Sequence, residues 1–416
     1  MCRKFTEEHL KPVASKCDIA ARFPYQQIQK LTDVGLMSAC LNDEYGGLEL
    51  DYLSLAIAIE ELSKGCASTG MILSIHNFLY TNLVNERGTE KQKDIFLKQY
   101  GKGSIGCFAL SEPGAGSDVA NIKTTAVQDG NYWILNGKKS WVTSAIEGKA
   151  MAVFATFDKE LRHKGHCTSG FLSFRAATAC DVTLEEVRVP NDYLVGEIGE
   201  GFRIAMAQLD QGRIGIAAHA VGIAQTSLDT AIEYAKERVA FGKPLSRLPS
   251  VKDRLTEMSV LVETARLLTY RAATQVCTKN SAMAKYVAGR NATAVADHCV
   301  QILGGNGLST RYNAERHYRT TLAKKSVTEV AASEKNSLEH VLKNHELKTL
   351  ATTVASPQLY VAKGEARPVV TGIAQLPKRE YSNLRERSLD AETVSGLGVQ
   401  TVRSPEYITG TSANVA

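Results

Sequence analysis

The chain has 416 residues, with 49 lysine and arginine against 44 aspartate and glutamate residues, which gives a formal net charge of +5. This length accommodates two or three domains whose cores need no disulfide support. So small a charge gives no argument for a nucleic-acid partner, and no apolar run of about 18 residues predicts a membrane span. The nine cysteines are scattered without a C-x-x-C pair, a pattern typical of a reduced protein without a zinc site.

The first part of the chain has the periodicity of helices. Apolar residues recur at spacings of three and four over residues 5–101, for example in 52–62 and 69–83. The first ten residues are polar and predict the start of a helix rather than a targeting segment. We therefore expect an N-terminal helical domain over residues 1–104.

The period then changes to two. Short β-rich segments at 105–110, 132–135, 151–157 and 182–189 are separated by Gly, Asn and Asp turns. The pattern predicts a small antiparallel β domain over residues 105–197.

Long helices are predicted next, at 202–238, 251–276 and 282–303, and they are typical of a helical bundle over residues 198–345. The last stretch, 346–416, resembles a linker more than a core. We expect a mobile or extended tail there.

Gly101, Gly103 and Gly106 form a G-x-G-x-x-G pattern in the wrong context for dinucleotide binding. A helical segment precedes it and a strand follows it, whereas a pyrophosphate needs a strand, a tight turn and then a helix N-terminus. We interpret these glycines as part of a loop.

Three other clusters point to a ligand. The sequence FALSEPGAGSD (108–118) predicts a strand that runs into a Gly- and Pro-rich turn, which either cradles a planar polar ring or is a plain hairpin loop. The sequence NGKKSWVT (136–143) predicts a turn and a strand whose Trp141 either stacks on a ring or packs in the core. In residues 301–307, three glycines in four positions allow close backbone approach to a ligand, beyond what a helix end requires.

These clusters, in this order and in a helical, β, helical arrangement, resemble the acyl-CoA dehydrogenases, and most of all the short-chain (butyryl) branch. The similarity spans residues 1–330 and is close in 106–118, 201–245, 263–272 and 301–319. It implies a mostly α fold with an inserted β domain: an N-terminal helical domain, a middle β-barrel domain and a C-terminal four-helix bundle.

The resemblance implies an FAD flavoprotein that oxidises short-chain acyl-CoA to trans-2-enoyl-CoA in fatty acid β-oxidation. It also implies a homotetramer in the mitochondrial matrix, without an integral membrane segment, that passes electrons to electron-transfer flavoprotein. The family's FAD positions fall on Leu110, Ser111, Gly116, Ser117, Trp141, Val142, Thr143, Arg238, Gln301, Gly304 and Gly305. Its acyl-CoA positions fall on Ser117, Asp210, Gly212 and Arg213.

The catalytic base is where the sequence departs from the family. The α-C–H of a thioester is a weak acid, so the reaction needs a positioned carboxylate. The Tyr-Glu-Gly-Thr motif of the short-chain enzymes is absent, and the two ways of aligning the segment after HYR (317–319) put Thr328 or Ala332 at the base position. Glu329 is the candidate base and Glu334 the other nearby carboxylate; since a helix turns by about 100° per residue, Glu329 needs a local register shift.

Alternatives follow from this departure. Some relatives carry the base on the helix that holds LDQGR, at the position of Gly212, which has no carboxylate. Both glutamates then face solvent, and the chain is a non-catalytic relative that binds FAD and acyl-CoA. A further alternative is an acyl-CoA oxidase or flavin monooxygenase on the same scaffold, which oxygen reactivity would distinguish.

Two departures concern the fold. The chain runs from Phe174 directly into residues 175–178, where relatives have an additional strand, and the turn at 277–280 is short. We therefore expect a shortened β domain. His219, His298 and His317 lack metal-ligand partners at helical spacing, which favours structural roles for all three.

Overall fold

The computed structural model describes residues 1–98, 104–156, 177–326 and 369–375. Over these ranges, short helices are followed by a sheet and then by long helices, which confirms the predicted fold, mostly α with an inserted β domain. None of the described helices is long and apolar enough to cross a membrane.

The N-terminal unit consists of short helices, two of which, α4 and α7, begin at a polar cap. They are α1 (Cys2–Phe5), α2 (Lys11–Ile19), α3 (Tyr25–Asp33), α4 (Tyr52–Gly65), α5 (Ala67–Ile75), α6 (Asn82–Arg87) and α7 (Glu90–Lys93), with π-helical segments at Thr6–Leu10, His76–Thr81 and Asp94–Lys98. The Asp51 carboxylate accepts the Ser54 N–H at 2.7 Å and so begins α4. Thr89 and Gln92 form a capping box at the start of α7.

The middle of the chain forms a twisted sheet of mixed direction. Its strands are β1 (Gly106–Ala109), β2 (Thr125–Asp129), β3 (Tyr132–Thr143), β4 (Ala150–Thr156) and β5 (Ala179–Pro190), while β6 (Val239–Ala240) and β7 (Lys243–Pro244) make a separate hairpin and β8 (Val369–Gln375) joins the sheet. The strand order is β1-β4-β2-β3-β5, and β8 pairs with β4.

The predicted antiparallel pairing was wrong for two of the strand pairs. Strand β1 pairs with β4 in parallel, and β2 meets β4 in parallel at Thr125 and Thr156. A period of two indicates strands but not their direction, and the chain passes through the β2–β3 hairpin before it returns beside β1. Strand β2 was not predicted because its sequence, TAVQD, is short and partly polar.

Strand β4 is buried along its whole length. One set of alternate residues, Ala150, Ala152 and Phe154, belongs to the apolar cluster of the N-terminal helices, which includes Tyr80 and Phe96. The other set, Met151, Val153 and Ala155, belongs to the core of the sheet itself. This strand therefore connects the helical unit to the sheet.

The C-terminal helices are α8 (Gly201–Glu237), α9 (Pro249–Thr274), α10 (Thr278–Leu303) and α11 (Ala314–Ser326), and the first three confirm the predicted bundle helices. Helix α8 packs against α4, α9 and α10. At Gly222 a Cβ atom would lie 2.4 Å from the Glu60 carbonyl oxygen, so only glycine allows α4 and α8 to approach this closely. The buried Glu60 carboxylate accepts Arg266 and Tyr270 of α9 at 2.9–3.1 Å and so links α9 to α4.

The tail prediction needs correction at one segment. Residues 369–375 were expected in a mobile or extended tail, but they form β8, which is hydrogen-bonded to β4 over seven residue pairs. The residues around this segment have the composition of a linker, whereas residues 369–375 themselves are a short stretch rich in β-branched residues. The rest of 346–416 lies outside the described residues.

Two buried histidines make the fold sensitive to acid. Burial lowers the pKa of His76 from 6.5 to about 4 and that of His317 from 6.5 to about 3. His76 Nδ1 accepts the Gly106 N–H at 2.9 Å, which fixes the start of β1. Since the unfolded chain binds these protons at higher pH, stability is fully present above pH 6.5 and is lost as the pH falls toward 4.

We expect each histidine to reduce the free energy of unfolding by roughly 2 kcal/mol between pH 7 and pH 5. Urea unfolding at both pH values measures this, and His76→Gln, which can still accept the Gly106 N–H, should remove about half of the change. Equal stability of the protein at pH 7 and pH 5 would contradict the prediction.

Candidate active site

The site begins at the SEP loop, defined here as residues 110–118, which directly follows β1. The backbones of Glu112 and Ala115 exchange hydrogen bonds at 3.0 and 3.1 Å around Pro113 and Gly114, so the Pro-Gly pair makes a tight turn. A Cβ atom at Gly114 or Gly116 would meet nothing within 4 Å. The outer surface of the loop is therefore open, with room for a flat ligand.

Strand β3 contains a β-bulge next to the point where it contacts this loop. Its register with β5 shifts between Lys139 and Val142, and Trp141 within the shift has a left-handed backbone with φ 62°. The Ser140 N–H donates to the Ser111 carbonyl oxygen at 2.9 Å. Trp141 is 43% exposed, which contradicts a plain core role. A left-handed backbone at an aromatic residue costs about 1–3 kcal/mol of conformational free energy. The hydrogen bonds of the neighbouring residues must therefore hold Trp141 in this geometry.

A buried ion pair fastens the same two segments together. Lys139 Nζ lies 2.7 Å from Glu112 Oε1 and donates to the Leu110 carbonyl oxygen at 3.1 Å. The Glu112 carboxylate also accepts the N–H groups of Lys123 and Thr124 at 2.6 and 3.0 Å. Both side chains are almost completely buried. The loop and the strand therefore form one rigid unit.

The pKa values of the pair reflect burial and mutual attraction. Burial lowers the pKa of Lys139 to about 8, against the raising effect of the nearby Glu112 carboxylate. For Glu112, burial acts to raise the pKa, but the charge and hydrogen bond of Lys139 and the bonds from Thr124 and Lys123 outweigh it, so the net shift is downward. Glu112 is therefore a bound carboxylate and does not exchange protons near neutral pH.

The substrate positions on α8 are tied to neighbouring helices. Asp210 accepts Arg213 Nη1 at 2.5 Å and the Thr278 hydroxyl, from the start of α10, at 2.6 Å. At Gly212 a Cβ atom would lie 2.6 Å from Leu79 Cδ2. The position that holds the base in some relatives is thus filled by a neighbouring side chain.

Next to these residues lies a polar chain that the sequence did not reveal. Gln211 Nε2 and the Tyr52 hydroxyl both donate to Glu86 Oε1 at 2.7 Å, and Asn82 donates to Gln211 at 3.3 Å. Tyr52, Asn82 and Glu86 line a cleft with a volume of about 340 Å³. The signal was weak, since these residues lie in three helices far apart in sequence.

The third predicted cluster lies at the far end of the bundle. Arg238 follows the end of α8 and leads into the β6–β7 hairpin, while Gln301 lies on an exposed face of α10. Gly304 has a left-handed backbone, φ 60°, and neither it nor Gly305 has an atom within 4 Å of its Cβ direction. Asn306 donates to the Tyr234 hydroxyl at 2.8 Å, which holds the glycine turn against the end of α8.

The structure thus brings the SEP loop and the Trp141 strand into direct contact. The remaining predicted FAD residues occupy the same two segments: Leu110 and Val142 are buried, Thr143 is half-buried, and Ser117 and Gly116 are exposed. Glu329, Thr328, Ala332 and Glu334 lie outside the described residues. Before them, Arg319 makes a bidentate ion pair with Asp18 at 3.0 and 2.7 Å, so α11 is anchored to α2.

The histidines and glycines outside these clusters have structural surroundings. His219 Nε2 lies 2.7 Å from the Ala67 carbonyl oxygen, and His298 contacts Arg254 and Glu257. Gly106 is the first residue of β1, with its Cβ direction blocked by the Tyr80 ring, so the loop interpretation was wrong for this glycine, and Gly101 and Gly103 lie outside the described residues. In the described part of the chain, no group of three His, Cys, Asp or Glu side chains could hold a metal ion.

Comparison with known proteins shows which protein family this chain belongs to. Models of the N-terminal, middle and C-terminal domains of acyl-CoA dehydrogenases match residues 1–104, 107–177 and 199–326. The chain belongs to the acyl-CoA dehydrogenase family.

Within this family, the chain is similar to short-chain enzymes. The chain is 43% identical to the mitochondrial short-chain specific acyl-CoA dehydrogenase of Bos taurus, over 84% of this chain and 89% of that protein. It is 38% identical to the short-chain specific enzyme of Clostridium acetobutylicum, over 77% of this chain and 90% of that protein. The butyryl-CoA dehydrogenase structure from Megasphaera elsdenii matches with a TM-score of 0.78 and 33% identity, over 82% of this chain and 96% of that one.

Removing one partner of the buried ion pair tests its role. We expect Lys139→Met to lower the free energy of unfolding by about 3–5 kcal/mol, because Glu112 is left charged and unpaired in the interior. Adding Glu112→Gln should recover more than half of the loss. Urea unfolding of the three proteins measures this.

Lys138→Met is the matched control. Lys138 is next in the strand and pairs with Asp181 at 3.0 Å, but both side chains are partly exposed, so the loss should stay below about 1 kcal/mol. Equal losses for Lys138→Met and Lys139→Met would contradict the assigned role of the buried pair.

Proposed function

We propose that this chain is an FAD-dependent dehydrogenase that oxidises short-chain acyl-CoA thioesters to trans-2-enoyl-CoA in fatty acid β-oxidation. The observation that carries the proposal is the rigid unit of SEP loop and bulged β3 strand, in the fold of a chain that belongs to the acyl-CoA dehydrogenases. The same unit is where the flavin contacts were predicted from the sequence.

The residues present fit an FAD molecule. The open outer surface at Gly116 and the exposed Trp141 ring suit a flat isoalloxazine, with Leu110, Ser111, Ser117, Val142 and Thr143 around it. Arg238, Gln301, Gly304 and Gly305 would hold the adenine half. FAD, when bound, accepts the hydrogen of the substrate β-carbon as a hydride.

The chain itself must bind the thioester and remove the α proton. Ser117, Gly212 and the fixed pair Asp210 and Arg213 are the proposed contacts to acyl-CoA, and Arg213 is already oriented by its bond to Asp210. We propose Glu329 as the base that takes the α proton, since it is the carboxylate that directly follows Thr328, one of the two aligned base positions.

Mixing the flavin-loaded protein with butyryl-CoA in the absence of oxygen tests this function. We expect rapid loss of the flavin absorbance, and Glu329→Gln should slow it by about 10²–10⁴-fold, the usual contribution of a general base. Glu334→Gln is the control and should bleach at the rate of the parent protein. Equal slowing by both changes, or by neither, would reject Glu329 as the base.

A non-catalytic relative is the second candidate. Two observations favour it: Gly212 is packed against Leu79, and the usual base positions hold Thr328 or Ala332. In that case the protein shifts its flavin spectrum when butyryl-CoA binds but does not bleach. An oxidase would instead bleach and then recover its colour rapidly in air with release of hydrogen peroxide.

We further propose that the protein acts as a homotetramer in the mitochondrial matrix and transfers its electrons to electron-transfer flavoprotein. Exposed apolar side chains near the proposed adenine site support assembly, since Phe241 in the β6–β7 hairpin is 90% exposed and Leu308 after the glycine turn is 76% exposed. The Bos taurus relative supports the compartment, because it is a mitochondrial enzyme. Localisation of the protein in cell fractions and reduction of added electron-transfer flavoprotein test the compartment and the electron acceptor.

A charge at the exposed Phe241 should weaken assembly. We expect Phe241→Asp to weaken the tetramer at least tenfold, because a buried aromatic contributes about 1.5–3 kcal/mol to an interface. Light scattering across a dilution series measures this. Ile19→Asp, a change at another exposed apolar residue in the N-terminal unit, should leave the mass unchanged. A tetramer that survives Phe241→Asp places the interface elsewhere.

A further inference from the structure

Strand β8 occupies an edge of β4 that the other strands in the described part of the chain leave open. Strand β1 pairs with the first half of β4, from Ala150 to Val153, and β2 meets its last residue, Thr156. Strand β8 pairs antiparallel along all of β4, with Ala150 opposite Gln375 and Thr156 opposite Val369. Each residue of a strand has one neighbour on either side, so β8 lies on the edge opposite β1 and β2.

An open edge at this position would be costly. Because both faces of β4 are buried, water does not reach its backbone from above or below. Unpaired N–H and C=O groups in such a strand lose their hydrogen bonds to water without a replacement. The seven-residue pairing with β8 satisfies these groups.

Among the described strands, β5 follows β4 in sequence but pairs with β3 and not with β4. The sequence of β8, VVTGIAQ, is rich in β-branched residues and is flanked by Pro368 and Pro377, which end strands.

We propose that residues 369–375 are an integral strand of the middle sheet, supplied by the same chain, and that the SEP loop depends on them. Strand β8 completes β4, β4 holds β1 in parallel register, and β1 leads directly into Leu110 and Ser111. A stretch the length of 327–368 reaches about 140 Å when extended. That is several times the diameter of a domain, so the same chain can supply the strand. The proposal does not rest on the proposed function.

A matched pair of truncations tests the dependence. One chain ends after Pro368 and lacks β8, and the other ends after Lys378 and keeps it. We expect the amides of 150–156, and the hydrogen-bonded amides of Glu112 and Ala115 in the SEP loop, to exchange hydrogen faster in the shorter chain, by about 100-fold in β4, since the edge of β4 opens. In the longer chain they should exchange as in the full chain. A synthetic peptide of residues 366–379 should restore protection to the shorter chain. Equal protection in both truncations overturns the proposal.

Cross-linking in the full chain tests the register and the source of the strand, and it remains informative where a truncation fails to fold. Ala152→Cys with Ile373→Cys places two thiols directly opposite, whereas Ala152→Cys with Gly372→Cys is out of register by one residue. After oxidation, mass spectrometry of the peptides should find the 152–373 disulfide in at least tenfold excess over 152–372.

Mixing ¹⁴N- and ¹⁵N-labelled chains before refolding separates the two sources of β8. Linked peptides of a single isotope composition support a strand from the same chain. Mixed-isotope links at the statistical proportion show a strand from a second copy and overturn that part of the proposal. None of these readouts depends on flavin reduction, so their failure is distinguishable from failure of the dehydrogenase function.

Discussion

The contact between Lys139 and Glu112 is the interaction on which the site depends. It lies in the interior, where an ion pair gains little over apolar packing but where the loss of one partner is severe. Such a pair selects one conformation of the loop more than it stabilises the fold. A loop rich in Gly and Pro has many conformations, but only the one that brings Glu112 to Lys139 leaves neither charge unpaired. The bulge at Trp141 and the bond from Ser140 to Ser111 follow from that arrangement.

Buried apolar contacts connect the sheet to the helices. Strand β4 carries apolar residues on both faces, one set packed on the N-terminal helices and the other on the sheet core. On the helical side, the charged contacts of Glu60 and Asp18 join helices that lie hundreds of residues apart in sequence. The loop that we assign to the flavin is therefore held by the helical unit through β4 and β1, and also directly, because Leu110 and Ala115 belong to the same apolar cluster as Phe96.

Much of the fold could be predicted from the sequence. The long helices α8, α9 and α10 have strong periodicity and few breaks, so their positions were correct within a few residues. The clusters around the SEP loop and Trp141 were also found, because Gly, Pro and aromatic residues in fixed order are local signals. Periodicity does not encode which strands pair, so the parallel pairing of β1 and β4 was missed.

The features that failed to appear in the sequence analysis are long-range ones. The partner of Lys139 is 27 positions away and that of Glu86 is 125 positions away, so neither pair leaves a local pattern. Trp141 could be proposed as a ring contact, but its left-handed backbone results from the bulge and from its neighbours. Strand β8 was not predicted for the same reason, since a short β-branched stretch in a polar tail gives no indication of its distant partner.

The distance in sequence between β4 and β8 also governs when the sheet can form. During synthesis, residues 369–375 leave the ribosome long after the N-terminal helices, the β2–β3 hairpin and β5. One edge of β4 therefore stays without β8 while about half of the protein is still being made. A pairing of such high sequence separation is also slow to close. Nascent chains are therefore most exposed to edge-to-edge association in this interval, and chaperone demand should fall once the last strand has emerged.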